Sequence, residues 1–246
     1  MKKYLSFGGG VNSVAMMLLL LDQKDEFEAV FVDHGTDWPE TYEYVNMFQG
    51  WLKKHGHDQI TVLKPAHSKD LEGKPFSNLY EFSYFRRIVP SGFRRWCTAD
   101  FKVKPIYKYV DTPSFMLIGI DFGEAKRARI STEKGIENRY PLIEYEIDRE
   151  GCKKIIYDSG LDIPMKSGCY ICPFQRKAQW IELRKKHPEL FCKAQQLEDR
   201  NMEYRIEKGK KPMTLSSSRK RLKSFIDEDQ MHLFEEDNYP PCQCGL

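Results

Sequence analysis

The stretch from Tyr4 to Leu21 limits the possible folds more than any other part of the chain. It runs Tyr-Leu-Ser-Phe-Gly-Gly-Gly-Val-Asn-Ser and then Val-Ala-Met-Met-Leu-Leu-Leu-Leu. Tyr4 to Phe7 suits a short buried strand, three glycines let the backbone approach a ligand, and Asn12 or Ser13 is placed to cap a helix. Strand, glycine loop and helix in succession make a phosphate cradle, because consecutive N–H groups of the turn and the positive end of the helix both favour an anion. The other reading is a turn kept tight for packing alone. No Gly-Lys-Ser/Thr closes the loop, which excludes the Walker form, and the dinucleotide glycine spacing is absent.

The next segments repeat the alternation. Glu28 to Asp33 is an apolar strand ending in the turn His34-Gly35-Thr36-Asp37, Pro39 opens a helix, and Ile60 to Leu63 is a third strand. In the helix, Tyr44, Met47, Phe48, Trp51 and Leu52 recur at helical spacing and predict a core face. Such a sheet is parallel, with ligands beyond the carboxyl ends of its strands, where the glycine loop and Asp33-His34-Gly35-Thr36 both fall. Asp33 either contacts a ribose or metal, or caps its own turn. Ser114 to Ile120 is a further strand, with Asp121, Glu124, Arg127 and Arg129 at its exit as a second rim. Tyr140 to Ile143 reads as extended, and Arg149 to Ser159 as a helix stopped by Gly160. The expected fold is α/β, a parallel twisted sheet with helices on both faces over residues 1–160, followed by a helical, cysteine-bearing region over 161–246.

A chain of 246 residues, 41% of them hydrophobic, can bury one such domain and a smaller appendage. The net charge of +3 is too small to imply a nucleic-acid partner by itself. Seven Lys or Arg and no acidic residue lie between Lys208 and Ile226. They suit either a nucleic-acid backbone or, the favoured reading, a solvated surface balanced by the acidic tail. No leader pattern and no apolar run of membrane length are present, so a cytoplasmic location without a membrane partner is expected.

Seven cysteines in a reducing compartment point to metal or catalytic use of some of them. Cys169-x-x-Cys172 lets two thiolates of one turn grip a metal or cluster; a redox dithiol and incidental buried thiols are the alternatives. Cys97, among cationic neighbours that favour the thiolate, and the terminal Cys242 and Cys244 are candidate partners. Cys152 and Cys192 read as ordinary buried positions on helices.

Ser6-Phe7-Gly8-Gly9-Gly10-Val11-Asn12-Ser13 resembles the PP-loop of the adenine-nucleotide alpha-hydrolase superfamily, which holds ATP pyrophosphatases and phosphoadenylylsulfate (PAPS) reductases. The usual form is Ser-Gly-Gly-x-Asp-Ser, so Gly8 stands for the serine and Asn12 for the aspartate, with the loss of one carboxylate. Arg95-Trp96-Cys97-Thr98 to Pro105, Gly119-Ile120 with Glu124 and Arg127, Tyr140-Pro141-Leu142, and Ser167-Gly168-Cys169-Tyr170-Ile171-Cys172-Pro173-Phe174 resemble successive motifs of PAPS-reductase-like proteins of bacteria and phages. The resemblance implies nucleotide contacts from Ser6, Phe7, Gly8, Gly9, Gly10, Asn12, Ser13, Asp33, Thr36, Gly119 and Glu124. It implies a 4Fe-4S cluster on Cys97, Cys169, Cys172 and Cys244, with zinc as the alternative. Cluster-bearing relatives carry a Cys-Cys pair and a terminal Glu-Cys-Gly-Leu-His; here Trp96 replaces one cysteine and the tail ends Gln243-Cys244-Gly245-Leu246. Cys244 therefore has two roles open to it, fourth ligand (with Cys242 as substitute) or the thiol that attacks sulfur.

Three functions follow as expectations. The first is an enzyme that cleaves or uses the alpha-phosphate bond of ATP or a related adenine nucleotide, with Mg as a candidate ion and sulfur relayed to a nucleic-acid or small-molecule acceptor. There Asp33, Asp121 and Arg127 are the catalytic candidates, and Arg94, Arg95, Lys102 and Arg129 are further cations for developing charge, with a solvated basic face as the other reading of each arginine and lysine. The second is a sulfonucleotide reductase with Cys244 as nucleophile and a thiol reductant as partner. The third is a zinc-stabilised nucleotide-binding module without turnover. A homo-oligomer is compatible with all three.

Overall fold

A computed structural model describes residues 1–227 of the chain. β1 (Lys2–Phe7) leads through the glycine turn into α1 (Val11–Asp22), and β2 (Glu28–Val32), α2 (Pro39–Lys54) and β3 (Thr61–Leu63) follow. A small antiparallel hairpin, β4 (His67–Lys69) and β5 (Pro75–Phe76), precedes α3 (Leu79–Arg86) and α4 (Trp96–Thr98). A π-helical turn (Ala99–Val103) runs into α5 (Lys104–Tyr109). Then come β6 (Ser114–Ile118), a 3-10 turn (Phe122–Arg127), β7 (Ile136–Arg139), α6 (Pro141–Glu144) and α7 (Arg149–Asp158). The helices α8 (Lys177–Lys186), α9 (Pro188–Glu207) and α10 (Leu222–Asp227) form the expected helical C-terminal region.

The main sheet has the order β3-β2-β1-β6-β7, and every neighbouring pair is parallel. The chain builds outward from β1 to β3 and then returns to the other side of β1 with β6. Strand order thus reverses between β1 and β6, which opens a crevice at their carboxyl ends.

Alternate strand residues feed opposite layers, as the pleat requires. Leu5, Phe7, Phe31 and Leu117 pack with Val14, Phe48 and Ile156 of α1, α2 and α7. Tyr4, Val30, Val32, Met116 and Ile118 pack on the other face with Ile106 of α5. Tyr4 keeps its polar tip satisfied there, since its hydroxyl donates to Asp111 Oδ2 at 2.9 Å and accepts from the Asp111 N–H at 3.1 Å. α1 is buried nearly all round because it lies between the sheet and α7. A third core joins Trp38, Phe76, Leu79, Phe82 and Phe101 to Tyr170, Ile171, Trp180, Leu183, Phe191, Leu197 and Leu222. The aromatic segment between β3 and β6 therefore shares its interior with the C-terminal helices.

Several local expectations are corrected. The residue capping α1 is Gly10, without a side-chain cap, so Asn12 and Ser13 lie inside the first turn. Ser13 instead ties the turn together: its hydroxyl accepts from the Gly8 N–H at 3.2 Å and donates to the Gly10 carbonyl at 3.0 Å. On α2 the buried stripe is Thr41, Val45, Phe48 and Leu52, and Met47 falls beside it, 41% exposed. β6 ends at Ile118, two residues early, where the Ile120 N–H turns back to the Ile118 carbonyl at 2.9 Å. Tyr140 to Ile143 is not extended: Pro141 opens α6 at the first helical position, where its missing N–H does no harm. Cys152 is buried as expected, whereas Cys192 is exposed on α9. Among the described residues no helix is long and apolar enough to cross a membrane.

Candidate functional site

At the switch point the glycine turn, the β6 exit and the start of α7 surround a cleft of about 780 Å³. Ser6, Phe7, Gly8, Gly10, Asn12, Ser13, Gly119, Asp121, Glu124 and Arg127 line it. Two of its glycines are dictated by space. A Cβ on Gly119 would stand 3.1 Å from the Ser13 nitrogen and 3.2 Å from the Asn12 carbonyl carbon, and one on Gly10 would stand 2.6 Å from the Ser167 hydroxyl. Gly9 faces the other way, at φ +67°, against Thr41 and Val45. The first-turn N–H groups of α1 have no acceptor within the helix, which makes the rim an anion seat.

A polar chain runs across this seat. Asp121 is buried; its Oδ2 accepts from Asn12 Nδ2 at 2.9 Å, and its Oδ1 accepts from the Glu124 N–H at 3.2 Å and starts the 3-10 turn. Arg149 donates to the other end of the same amide, Asn12 Oδ1, at 2.7 Å. Asn12 thus links a buried carboxylate to a guanidinium, which an aspartate, having no donor, does not do. Glu124 is bonded to Arg127, and burial raises its carboxyl pKa against the pull of that guanidinium. Lys102, Arg127, Arg149, Lys153 and Lys166 give the cleft its cations.

Not all candidates meet there. Asp33 caps its own turn, accepting from the Gly35 N–H and the Tyr42 hydroxyl, each at 3.0 Å, and does not line the cleft. Thr36 is fully buried and does not line the cleft, with its hydroxyl 2.8 Å from His34 Nδ1. Arg129 is exposed and donates to the carbonyls of Lys126 and Ala128, and Arg94 is exposed on the loop before α4. The seven basic residues between Lys208 and Ile226 are all exposed.

Three cysteines come together at a second, smaller pocket. The loop carrying Cys169 pairs antiparallel with residue 37: the Trp38 N–H donates to the Gly168 carbonyl at 3.1 Å and the Tyr170 N–H to the Thr36 carbonyl at 2.9 Å. Cys172 follows in the same turn, and Cys97 is presented by α4. These thiols line a pocket of about 20 Å³ with His34, Arg95 and Lys102. His34 is fully buried, its Nε2 lies 3.7 Å from Cys169 Sγ and 3.4 Å from Asp37 Oδ2, and burial lowers its pKa to about 4 although Asp37 pulls the other way. Burial also raises the Cys97 pKa, with Lys102 and bonds to Thr98 only partly offsetting it. The expectation that cationic neighbours make Cys97 a ready thiolate is thereby reversed: desolvation outweighs them.

The phosphoadenosine phosphosulfate reductase domain family matches residues 2–143, more than half of the chain, and takes in the cradle, both rims and Cys97. The chain belongs to that family. An uncharacterized protein of Methanocaldococcus jannaschii is similar at 25% identity over 206 residues, covering 76% of this chain and 45% of the relative. A second from the same organism is similar at 23% over 212 residues, covering 77% and 40%. The chain spans less than half the length of these curated relatives.

Among the described residues His34, Asp37 and Cys169 offer ligand atoms within 4.8 Å of one another, a group that could hold a metal ion, and Cys97 and Cys172 line the pocket beside it. Cys242 and Cys244, the remaining candidate ligands, lie outside the described residues. The sequence reading missed Arg149 as a cleft residue and His34 as a neighbour of the thiols. Only the motif Asp33-His34-Gly35-Thr36-Asp37, with a histidine inside a strand-end turn, carried any signal for the latter.

Proposed function

We propose that this chain is an adenine-nucleotide enzyme of sulfur chemistry, seating the nucleotide phosphates on the glycine turn and α1 and holding a metal centre in the thiol pocket. The observation that carries this reading is Lys102, which lines both the nucleotide cleft and the thiol pocket and so forms their common wall. A phosphate or sulfate group bound at the α1 end is thereby within the reach of a cation that also borders the thiols. In the reaction proposed, an acceptor attacks the alpha phosphorus of ATP, the new acceptor–phosphorus bond forms as the alpha–beta P–O bond breaks, and pyrophosphate leaves. Backbone N–H groups of the turn, with Lys102, Arg127 and Arg149, stabilise the charge that moves onto the leaving group. Asp121 and Glu124 are the carboxylates available for the nucleotide or for Mg.

Family membership favours one other reading, reduction of a sulfonucleotide. In it the Cys244 thiolate attacks the sulfonate sulfur, an S–S bond forms as the sulfur–oxygen bond to the nucleotide breaks, and a thiol reductant then displaces sulfite. The experiment is to incubate the full chain with ATP or with phosphoadenylylsulfate plus a dithiol, and to assay pyrophosphate and sulfite. Pyrophosphate release from ATP that falls at least tenfold in Lys102→Met supports the first reading. Sulfite release that is lost in Cys244→Ser supports the second. Failure of calorimetry to detect either nucleotide binding would sink both.

A further inference from the structure

We infer that His34 Nε2, an Asp37 carboxylate oxygen and Cys169 Sγ hold one divalent ion of the zinc class, with the fourth tetrahedral position open to an exchangeable ligand. The inference rests on the reading of this region as a metal centre and names its ligands, its charge and its open position. Cys97 and Cys172 are then neighbours of the ion and not its ligands.

Four observations carry it. First, the three donors have the mutual spacing of ligands on one ion. Zn–S, Zn–N and Zn–O bonds of about 2.3, 2.05 and 2.1 Å at the tetrahedral angle set donor pairs about 3.4–3.6 Å apart. Cys169 Sγ lies 3.7 Å from His34 Nε2, Asp37 Oδ2 lies 3.4 Å from the same nitrogen, and Asp37 Oδ1 lies 3.9 Å from the sulfur. Second, backbone bonds that need no ion set two of the donors face to face. Asp37 and Cys169, 132 residues apart, form an antiparallel bridge, closed by the Trp38 N–H on the Gly168 carbonyl and the Tyr170 N–H on the Thr36 carbonyl. Third, the far edge of the imidazole is already held. Thr36 Oγ1 sits 2.8 Å from Nδ1, so an Nδ1–H donated to that hydroxyl leaves the Nε2 lone pair turned towards Asp37 and Cys169, the outer bond typical of a ligating histidine. Fourth, the group is nearly dry, with His34 fully buried, Asp37 5% exposed and Cys169 7% exposed. A carboxylate in such a place is costly without a cation, and the single thiol proton serves only one of the two acceptors that face Cys169. A divalent ion on one carboxylate, one thiolate and a neutral imidazole leaves no net charge and engages all three donors at once.

His34 and Cys169 also line the adjoining pocket of about 20 Å³, together with Cys97, Cys172, Arg95 and Lys102. One water needs roughly 10–15 Å³, so the pocket admits a single water-sized ligand beside the ion. Three protein ligands with one exchangeable position is the arrangement of a reactive zinc site, whereas a purely structural one is closed by four.

The test uses the full chain purified anaerobically. Zinc, iron and acid-labile sulfide are quantified, zinc affinity is measured by competition with a chromophoric chelator, and Co²⁺ is substituted for its visible spectrum. The expected result is one zinc per chain without sulfide, a Co²⁺ charge-transfer band of one thiolate, and a change in that spectrum on adding azide. Affinity should fall more than about 100-fold in each of His34→Ala, Asp37→Asn and Cys169→Ser, beyond the 10–100-fold typical of an outer partner. Cys97→Ser and Cys172→Ser should keep the ion and the wild-type Co²⁺ spectrum. Because the three ligands are buried, His34→Cys serves as a check on folding: it should bind Co²⁺ with the band enlarged by one thiolate. Zinc should raise the Tm of wild type and leave that of Asp37→Asn unchanged. Iron with stoichiometric sulfide overturns the proposal, as does a protein that binds no zinc. So does a wild-type Co²⁺ band of two or more thiolates, loss of the ion from Cys97→Ser or Cys172→Ser, or wild-type affinity in Asp37→Asn. Nucleotide calorimetry on the same preparations separates the two readings: zinc without nucleotide binding sinks the enzyme and leaves the site, and nucleotide binding with an iron–sulfur cluster does the reverse.

Discussion

Gly119→Ala tests how closely the two edges of the cleft approach. The added methyl would meet Ser13 N at 3.1 Å and Asn12 C at 3.2 Å, both backbone atoms at the start of α1, so no side chain can swing away. Ordinary contact begins at 3.4 Å, and either β6 or α1 must retreat by a few tenths of an ångström. Overpacking of this kind costs about 1–3 kcal/mol. For a chain of this size each kcal/mol is worth about 2–4 °C in Tm, so a fall of roughly 2–12 °C is expected in calorimetry. The displaced atoms belong to the N–H groups proposed to hold phosphate, and ATP affinity should weaken by about tenfold, or 1.4 kcal/mol. Gly50→Ala is the control. It lies on α2 with nothing within 4 Å of an added Cβ, and it should stabilise by about 0.4–1 kcal/mol. A Gly119→Ala protein that melts with wild type and binds ATP equally well would refute the argument, because the edges could not then be in contact.

Asn12→Asp replaces an amide that donates to Asp121 at 2.9 Å with a second carboxylate; urea melts should show a loss of about 1–3 kcal/mol, reduced when Mg²⁺ is added. Cys192, exposed on α9, should be alkylated by iodoacetamide at pH 8, while Cys152, buried and with its pKa pushed up to about 12, should react only after unfolding, as read by peptide mass mapping. Glu198 is buried, accepts the Leu215 and Leu222 N–H groups, each at 2.9 Å, and has its carboxyl pKa raised chiefly by burial. Its native form holds a proton that the unfolded chain loses, so this contribution declines as pH rises above the ordinary value of 4.5. The stability advantage of wild type over Glu198→Gln should therefore shrink across that window in melts at successive pH values.

The layered sheet and the cradle were legible because local pattern decides them. A glycine turn between an apolar strand and an apolar helix has few uses, and the alternation of strand and helix leaves only a parallel sheet. The site was legible only where its parts share a turn or a strand exit, as Gly8, Ser13, Asp121 and Glu124 do. Arg149 reaches Asn12 across 137 residues, and His34 reaches Cys169 across 135. Neither meeting leaves a periodic trace, since each depends on how α7 and the C-terminal loop dock. Cys97 misled for a related reason. Its neighbours in sequence are cationic, yet folding buries the thiol, and the loss of solvent prevails over their charge.

The third core sets a limit on how this chain can be dissected. Trp38, Phe76, Leu79, Phe82 and Phe101 all precede residue 143, where the family match ends, but their apolar surface is covered by Tyr170, Ile171, Trp180 and the helices that follow. A fragment trimmed to the matched segment would keep the nucleotide cradle and bare a contiguous aromatic patch to water, the kind of surface that drives self-association. It would also lack both thiols of the C-x-x-C turn and the partner strand of residue 37. Solubility on truncation is thus a property of the C-terminal helices, although the cradle lies wholly outside them.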